Sequence, residues 1–393
     1  MQKILNVDKA QCAMDAAGLS QSAVAEALGV SREAVSQWLR AQSFPRPNKL
    51  LQLGKLLGLS FSELVRVDDP AAPRVAFRKM KGTKTKDHHI EKAEHIGRHL
   101  RHLVPYLPFD TLKMPPVLKA PSYDDAYLQQ VTAELRAEIG LEPRESVDFQ
   151  HLIRHFTALQ AVVVPVLWGS KQRHENAVHL YLPDSQTTWV YLNLDTNVHD
   201  FKFWMAHELG HCLAPSLAGE EAEDFADAFA GTLLFPQALV EEADARIRQL
   251  STVSARINAV LATANAHVIS PFTVSQRLEQ HAVRTGKPAI ELGKQFPGAV
   301  TNFNKGYKNL SQVLFQNDTC DETGQPDAHD YVECAEQVFA TPFFDVLRRY
   351  LKANEKGPGF LEVVLDLSPL DARSLHAELS DEEWPNNGIC SER

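Results

Sequence analysis

His207 and His211 stand four residues apart in Ala206-His207-Glu208-Leu209-Gly210-His211, with a glutamate directly after the first of them. On a helix, side chains at that spacing lie about 40° apart around the axis, so both imidazoles can reach one ion. Glu208 projects to the side of the pair, where a carboxylate can take a proton from an attacking water. A zinc site still needs a third protein ligand. Glu223, twelve residues beyond His211, is the candidate; Glu220 and Glu221 are rivals, although a helix start carries solvated carboxylates in any case.

The elements that must position these groups are two helices. Phe201, Trp204, Met205 and Leu209 give the first an apolar face. The second spans 220–234, with Ala222, Phe225, Ala226, Phe229, Ala230, Leu233 and Leu234 in one stripe. Glu223 falls at the edge of that stripe, where a carboxylate is costly unless something positive binds it. Asp227, one turn on, can accept a hydrogen bond from the free N–H of a ligand histidine.

Phe203-Trp204-Met205-Ala206-His207-Glu208-Leu209-Gly210-His211 followed by Glu223-x-x-Ala226-Asp227-x-Phe229-Ala230-x-x-Leu233-Leu234-x-Pro236 resembles the ImmA/IrrE family of zinc metallopeptidases. Asp227 replaces the family's asparagine and Phe235 its methionine. The resemblance implies that His207, His211 and Glu223 bind zinc, or manganese as an alternative, and that Glu208 is the catalytic base. It also implies a substrate: members of the family cut repressors of the helix-turn-helix class.

The first 66 residues read as five short helices. Val24, Ala25 and Leu28 mark one that Gly29 stops, and Ser31 caps another with Ala34, Val35, Trp38 and Leu39 facing inward. Helix, glycine turn, helix is the helix-turn-helix plan. The solvent side of the second helix carries Arg32, Glu33, Ser36, Gln37 and Arg40, which can bond base edges and phosphates. Eight Lys and Arg against five acids make this stretch +3, so the remainder of a chain at −10 is −13. The stretch resembles the Cro/phage-repressor (XRE) family, and that resemblance adds Gln21 to the DNA-contact residues. A homodimer on an inverted double-stranded operator is the expected state.

At 393 residues and 44 % hydrophobic, the chain has material for more than one core. Its net charge of −10 excludes a nucleic-acid coat while leaving room for a local basic face. Five scattered cysteines without C-x-x-C spacing fit a reducing compartment, and the lack of a leader or a long apolar run makes the expectation cytoplasmic, with no membrane contact.

Residues 67–122 are predicted to be a basic, Pro-rich linker. Its cations Arg78, Lys79, Lys81, Lys84 and Lys86 read as a solvated face, with a DNA-backbone contact as the alternative, its histidines as surface residues, and the stretch 104–122 as plain linker, with a plug for a peptide cleft as the alternative. Helices over 123–139 and 148–159 precede strands over 161–167, 177–182 and 188–194. These predict a small antiparallel sheet whose edge strand, 189–193, binds peptide by β-augmentation. For an oxyanion-stabilising residue, Tyr191 and His199 are near in sequence, but neither matches a motif. Helices at 237–249, 252–265 and 272–285 close the domain, and the last is read as a packing helix. Residues 290–393 are expected to be a small α+β appendage, with a polar turn at 317–321 and a strand at 360–367.

The fold class expected is therefore multidomain: an all-α helix-turn-helix domain (1–66), an α+β zincin-like (gluzincin) metallopeptidase domain (123–289) and the C-terminal region. The functional expectation is a transcriptional regulator fused to a zinc endopeptidase, acting on stress, prophage or mobile-element genes. Two alternatives stand beside it: a DNA-binding antitoxin whose peptidase fold is a scaffold for a cognate toxin, and a ligand-sensing transcription factor.

Overall fold

The computed structural model describes residues 2–40, 42–68, 72–76, 87–109, 117–168, 177–217, 219–315 and 326–381. The chain divides into two compact units, Met1–Ala72 and Pro73–Arg393.

In the first unit the expected five helices are α1 (Val7–Ala16), α2 (Gln21–Leu28), α3 (Arg32–Leu39), α4 (Pro47–Leu57) and α5 (Phe61–Leu64), and α2 and α3 stand where the sequence places them. Ser20 Oγ accepts from Ala23 N at 3.2 Å and Ser31 Oγ from Ala34 N at 3.1 Å, starting α2 and α3. Gly29 ends α2 at φ 61°, the left-handed conformation that glycine adopts without strain. Val24, Leu28, Val35, Trp38, Leu50 and Leu53 close the core between the helices. One feature was not expected: β1 (Gln2–Leu5) pairs antiparallel with β2 (Val65–Asp68), tying the two ends of the unit together.

The second unit is built on a four-stranded sheet of β3 (Arg74–Ala76), β4 (Val162–Val166), β5 (Ala177–Leu182) and β6 (Thr187–Asn193), in the order β3-β5-β6-β4. β5 is antiparallel to both neighbours, whereas β4 runs parallel to β6, from Val162↔Trp189 to Val166↔Asn193. The sheet is thus mixed, and β6 lies inside it. Peptide addition to residues 189–193 is ruled out, because both sides of β6 already carry a ladder.

Helices cover both faces. They are α6 (Asp87–Leu100), α7 (Asp125–Glu138), α8 (Phe149–Ala158), α9 (Val198–Leu213), α10 (Glu220–Leu234), α11 (Gln237–Arg248), α12 (Val253–His267), α13 (Pro271–Thr285), α14 (Phe296–Lys305), α15 (Leu310–Leu314), α16 (Ala328–Phe339), α17 (Phe343–Asn354), α18 (Gly359–Leu365) and α19 (Pro369–Ser380). Strand parity separates two cores. Val163, Ala177, Val190 and Leu192 face the layer containing α8, α9 and α10. Val162, Val164, Leu180, Trp189 and Tyr191 face α6 and α16 to α19.

Three expectations are corrected by this layering. Residues 73–76 and 87–106 are not a linker: β3 extends the sheet, α6 packs on it through Ala93, Ile96 and Leu100, and a Cβ on Gly97 would come within 2.6 Å of Pro73. The C-terminal region is not an appendage, because α16 to α19 supply most of the second core. Residues 359–365 are helical, since Leu361, Val364 and Leu365 bury one helical face. Of the stretch read as a plug, Val104–Tyr106 form a 3-10 turn, Arg349 Nη2 donates to Tyr106 O at 2.6 Å, and Leu118 N donates to Leu213 O at 2.8 Å; residues 110–116 lie outside the described residues. The basic stretch 78–86 and the turn at 317–321 lie outside the described residues.

The free edge of β4 is capped by side chains. Thr341 Oγ1 donates to Val163 O and Tyr331 OH to Pro165 O, each at 2.5 Å. Carbonyls that would otherwise be buried unpaired are thereby satisfied.

Candidate metal centre and nucleic-acid interface

α9 runs through the middle of the second unit, and thirteen of its sixteen residues are buried. Apolar Phe201, Trp204, Met205 and Leu209 explain that burial; the ionisable groups on the same helix need compensation. Lys202 finds it at the end of α12, donating Nζ to His267 O at 2.9 Å, and burial lowers its pKa to about 8.

His207 and His211 face α10. The Nε2 atoms of His207 and His211 are 3.1 Å apart, and each lies 3.5 Å from a carboxylate oxygen of Glu223. His207, His211 and Glu223 each offer one ligand atom, and these atoms all lie within 4.8 Å of one another. Glu220 and Glu221, the rival ligands, are exposed at the start of α10. The approach of the two helices is set by Gly210, where a Cβ would stand 3.0 Å from Cα of Ala226.

Asp227 takes the place expected of it: its Oδ1 lies 2.9 Å from His207 Nδ1. A carboxylate there holds a proton on Nδ1 and leaves Nε2 directed at His211 and Glu223. Burial pulls the His207 pKa down, but the bonds to Asp227 and Glu223, with the charge of Glu208, outweigh it and raise it to about 9. Glu208 is 1 % exposed, and its Oε2 has no hydrogen-bond partner among the described residues. Burial raises its pKa to about 8, against the pull of His207.

One residue of the site escaped the sequence reading. His179 on β5 stands opposite Val190, so strand parity turns it toward α9, and its ring centroid is 5.9 Å from that of His211. Burial, then the charge of His207, lowers its pKa to about 4. The available signal was a lone polar residue at the parity of Ala177, in a strand otherwise apolar on that face. Neither oxyanion candidate belongs to the site. Tyr191 OH donates to Val364 O at 2.9 Å in the other core, and His199 packs against Phe303 and Tyr307.

In the first unit, Val35 and Trp38 anchor α3, which leaves Arg32, Glu33, Gln37 and Arg40 exposed and Ser36 half-buried. Gln21, at the start of α2, is half-buried. Together they give two cations, one acid and three neutral hydrogen-bonding groups, a set that mixes phosphate contact with base reading.

The helix-turn-helix family HTH_3 matches residues 13–64, the stretch from α1 to the end of α5. The N-terminal unit is thus a helix-turn-helix domain, which supports a DNA-binding transcription regulator; residues 73–393 lie outside the match. No curated protein matches the chain. Among the described residues, no helix is long and apolar enough to cross a membrane.

Proposed function

We propose that this protein is a DNA-binding regulator whose second unit is a metal-dependent endopeptidase, directed at a repressor-type protein. The observation that carries the reading is the meeting of His207, His211 and Glu223 in a buried site beside Glu208. Four ionisable groups gathered on buried helix faces would destabilise the fold unless a cation organises them. Two imidazoles and a carboxylate suit zinc, with manganese as the alternative. Such an ion supplies Lewis acidity toward the scissile carbonyl.

The chain's own groups do the rest. Glu208 accepts the proton of the attacking water and passes it to the departing amine. Asp227 holds His207 in one tautomer. The resemblance to ImmA/IrrE peptidases points to a helix-turn-helix repressor as substrate, and the first unit delivers the enzyme to operator DNA as a homodimer. On this reading the protein works in the cytoplasm.

Elemental analysis of purified protein tests this. About one zinc or manganese per chain is expected, lost in His207→Ala and Glu223→Ala; Glu208→Gln should keep the ion and lose cleavage of a repressor substrate. Full occupancy in His207→Ala, or cleavage surviving in Glu208→Gln, sinks the reading.

A second reading, a ligand-sensing transcription factor, is favoured by one observation. An open surface depression of about 280 Å³ is lined by His99, His102, Tyr350, Lys356, Gly359 and Phe360, from α6 and the turn after it, from α17 and α18, and from the turn between the last two.

A further inference from the structure

His179 lies beside the ligand helix with one ring nitrogen unmatched among the described residues. Its ring lies 5.9 Å from that of His211 and is tilted 34° to it, on the face of β5 turned toward α9. It is 7 % exposed, and its Nε2 is buried without a hydrogen-bond partner among the described residues. Buried imidazole nitrogens are normally bonded, and the exceptions concentrate where a partner arrives from outside. His179 is not one of the residues whose ligand atoms converge. Glu208, next to the ligand His207 in the chain, likewise has a buried oxygen without a partner among the described residues. Two unmatched polar atoms, one acidic and one imidazole, thus belong to the immediate neighbours of the ligands: Glu208 follows His207 in the chain, and the His179 ring lies beside that of His211.

We infer that His179 is a catalytic residue, donating Nε2–H to the substrate's scissile carbonyl oxygen as negative charge builds there. The inference rests on the metallopeptidase reading. Glu208 deals with the attacking water and its proton, whereas His179 stabilises the oxygen left behind; no proton need leave His179 during the cycle. A preorganised donor in a dry site needs no solvent rearrangement as charge develops, so its effect falls on turnover more than on substrate capture. The strand supports this role better than a loop would, because β5 is paired on both sides.

Cobalt(II)-loaded protein with acetohydroxamate as the probe tests the assignment without a substrate, since the visible cobalt bands report both metal and probe. His179→Phe should bind cobalt as the parent does and hold acetohydroxamate about tenfold more weakly, the loss of one hydrogen bond to a charged oxygen. His179→Gln, which keeps a donor, should recover most of that affinity. Unchanged acetohydroxamate affinity in His179→Phe, with cobalt bound normally, overturns the inference and leaves the metal site standing. Loss of cobalt itself in both variants also overturns it, by making His179 a support for the ligands. If the parent protein binds no cobalt, the metallopeptidase reading fails and the inference with it.

Discussion

A Cβ on Gly210 would stand 3.0 Å from Cα of Ala226 and 3.3 Å from its Cβ. α9 and α10 therefore meet almost backbone to backbone, and this brings Glu223, one turn before Ala226, across to His207 and His211.

Gly210→Ala should accordingly damage the metal centre without touching a ligand. The neighbouring atom is backbone and cannot swing aside, so the helices must part by a few tenths of an ångström. We expect a loss of about 1–3 kcal/mol in stability and metal affinity lower by on the order of tenfold. Urea unfolding and competition with a chelating dye measure the two. Metal affinity equal to that of the parent would show that the helix spacing does not set the site.

Metal-free protein should become less stable as pH rises from about 6.5 to 8. His207 is held at about 9 against an ordinary 6.5, so its contribution is complete below 6.5 and lost as pH climbs through 9. Glu208, raised to about 8 from 4.5, has the same sign between those values. His179, lowered to about 4, acts in the opposite sense, but only as pH falls below 6.5. Lys202, lowered to about 8 from 10.5, opposes the trend above pH 8 and bounds the window. Each proton taken up on folding adds a slope of up to about 1.4 kcal/mol per pH unit. Urea midpoints at pH 6.5 and 8 should fall in the parent and fall less in Glu208→Gln; a rise would contradict these protonation states.

The exposed Gln37 on α3 is expected to read a base. Gln37→Ala should cost about 1–3 kcal/mol at the cognate operator and little on random DNA. Arg40→Ala should weaken both, with a shallower salt dependence. Fluorescence anisotropy on the two duplexes separates the effects, and equal losses for Gln37→Ala would assign it to the phosphate backbone.

Thr341→Val should cost about 1–3 kcal/mol, because Val163 O on the edge of β4 loses its donor while staying buried. Tyr331→Phe should do the same at Pro165 O. Urea unfolding gives the values, and near-neutral results for both would mean that water reaches this edge.

What the sequence reveals, and what it hides, follows from the range of the interactions. His207, His211 and Glu223 were readable because helical periodicity is local: once two helices are placed, their facing residues are nearly fixed. The α2–Gly29–α3 unit was readable for the same reason. Strand pairing is not local, so the three runs at 162–193 gave no warning that β4 would lie parallel to β6 and bury the presumed edge. β3 was hidden by its three-residue length, and β1 by the strongly helical sequence after it. Gly359–Leu365 misled through Val363 and Val364, whose β-branches suggest a strand, whereas burial at 361, 364 and 365 follows a helix. His179 stayed invisible because its partner His211 lies 32 positions along the chain, and only the paired sheet turns it toward α9.

The second face of the sheet bears on how mutant alleles of this gene should be read. Its cover comes from both ends of the second unit, α6 at the start and α16 to α19 at the finish. A nonsense or frameshift mutation falling between positions 326 and 359 removes α18 and α19 at least, and with them Val364 O, the acceptor for Tyr191. Such an allele would present as a simple null through degradation of an uncovered sheet, whatever the C-terminal third does in the intact protein. Only missense alleles that leave this cover in place can separate a regulatory phenotype from the loss of the fold.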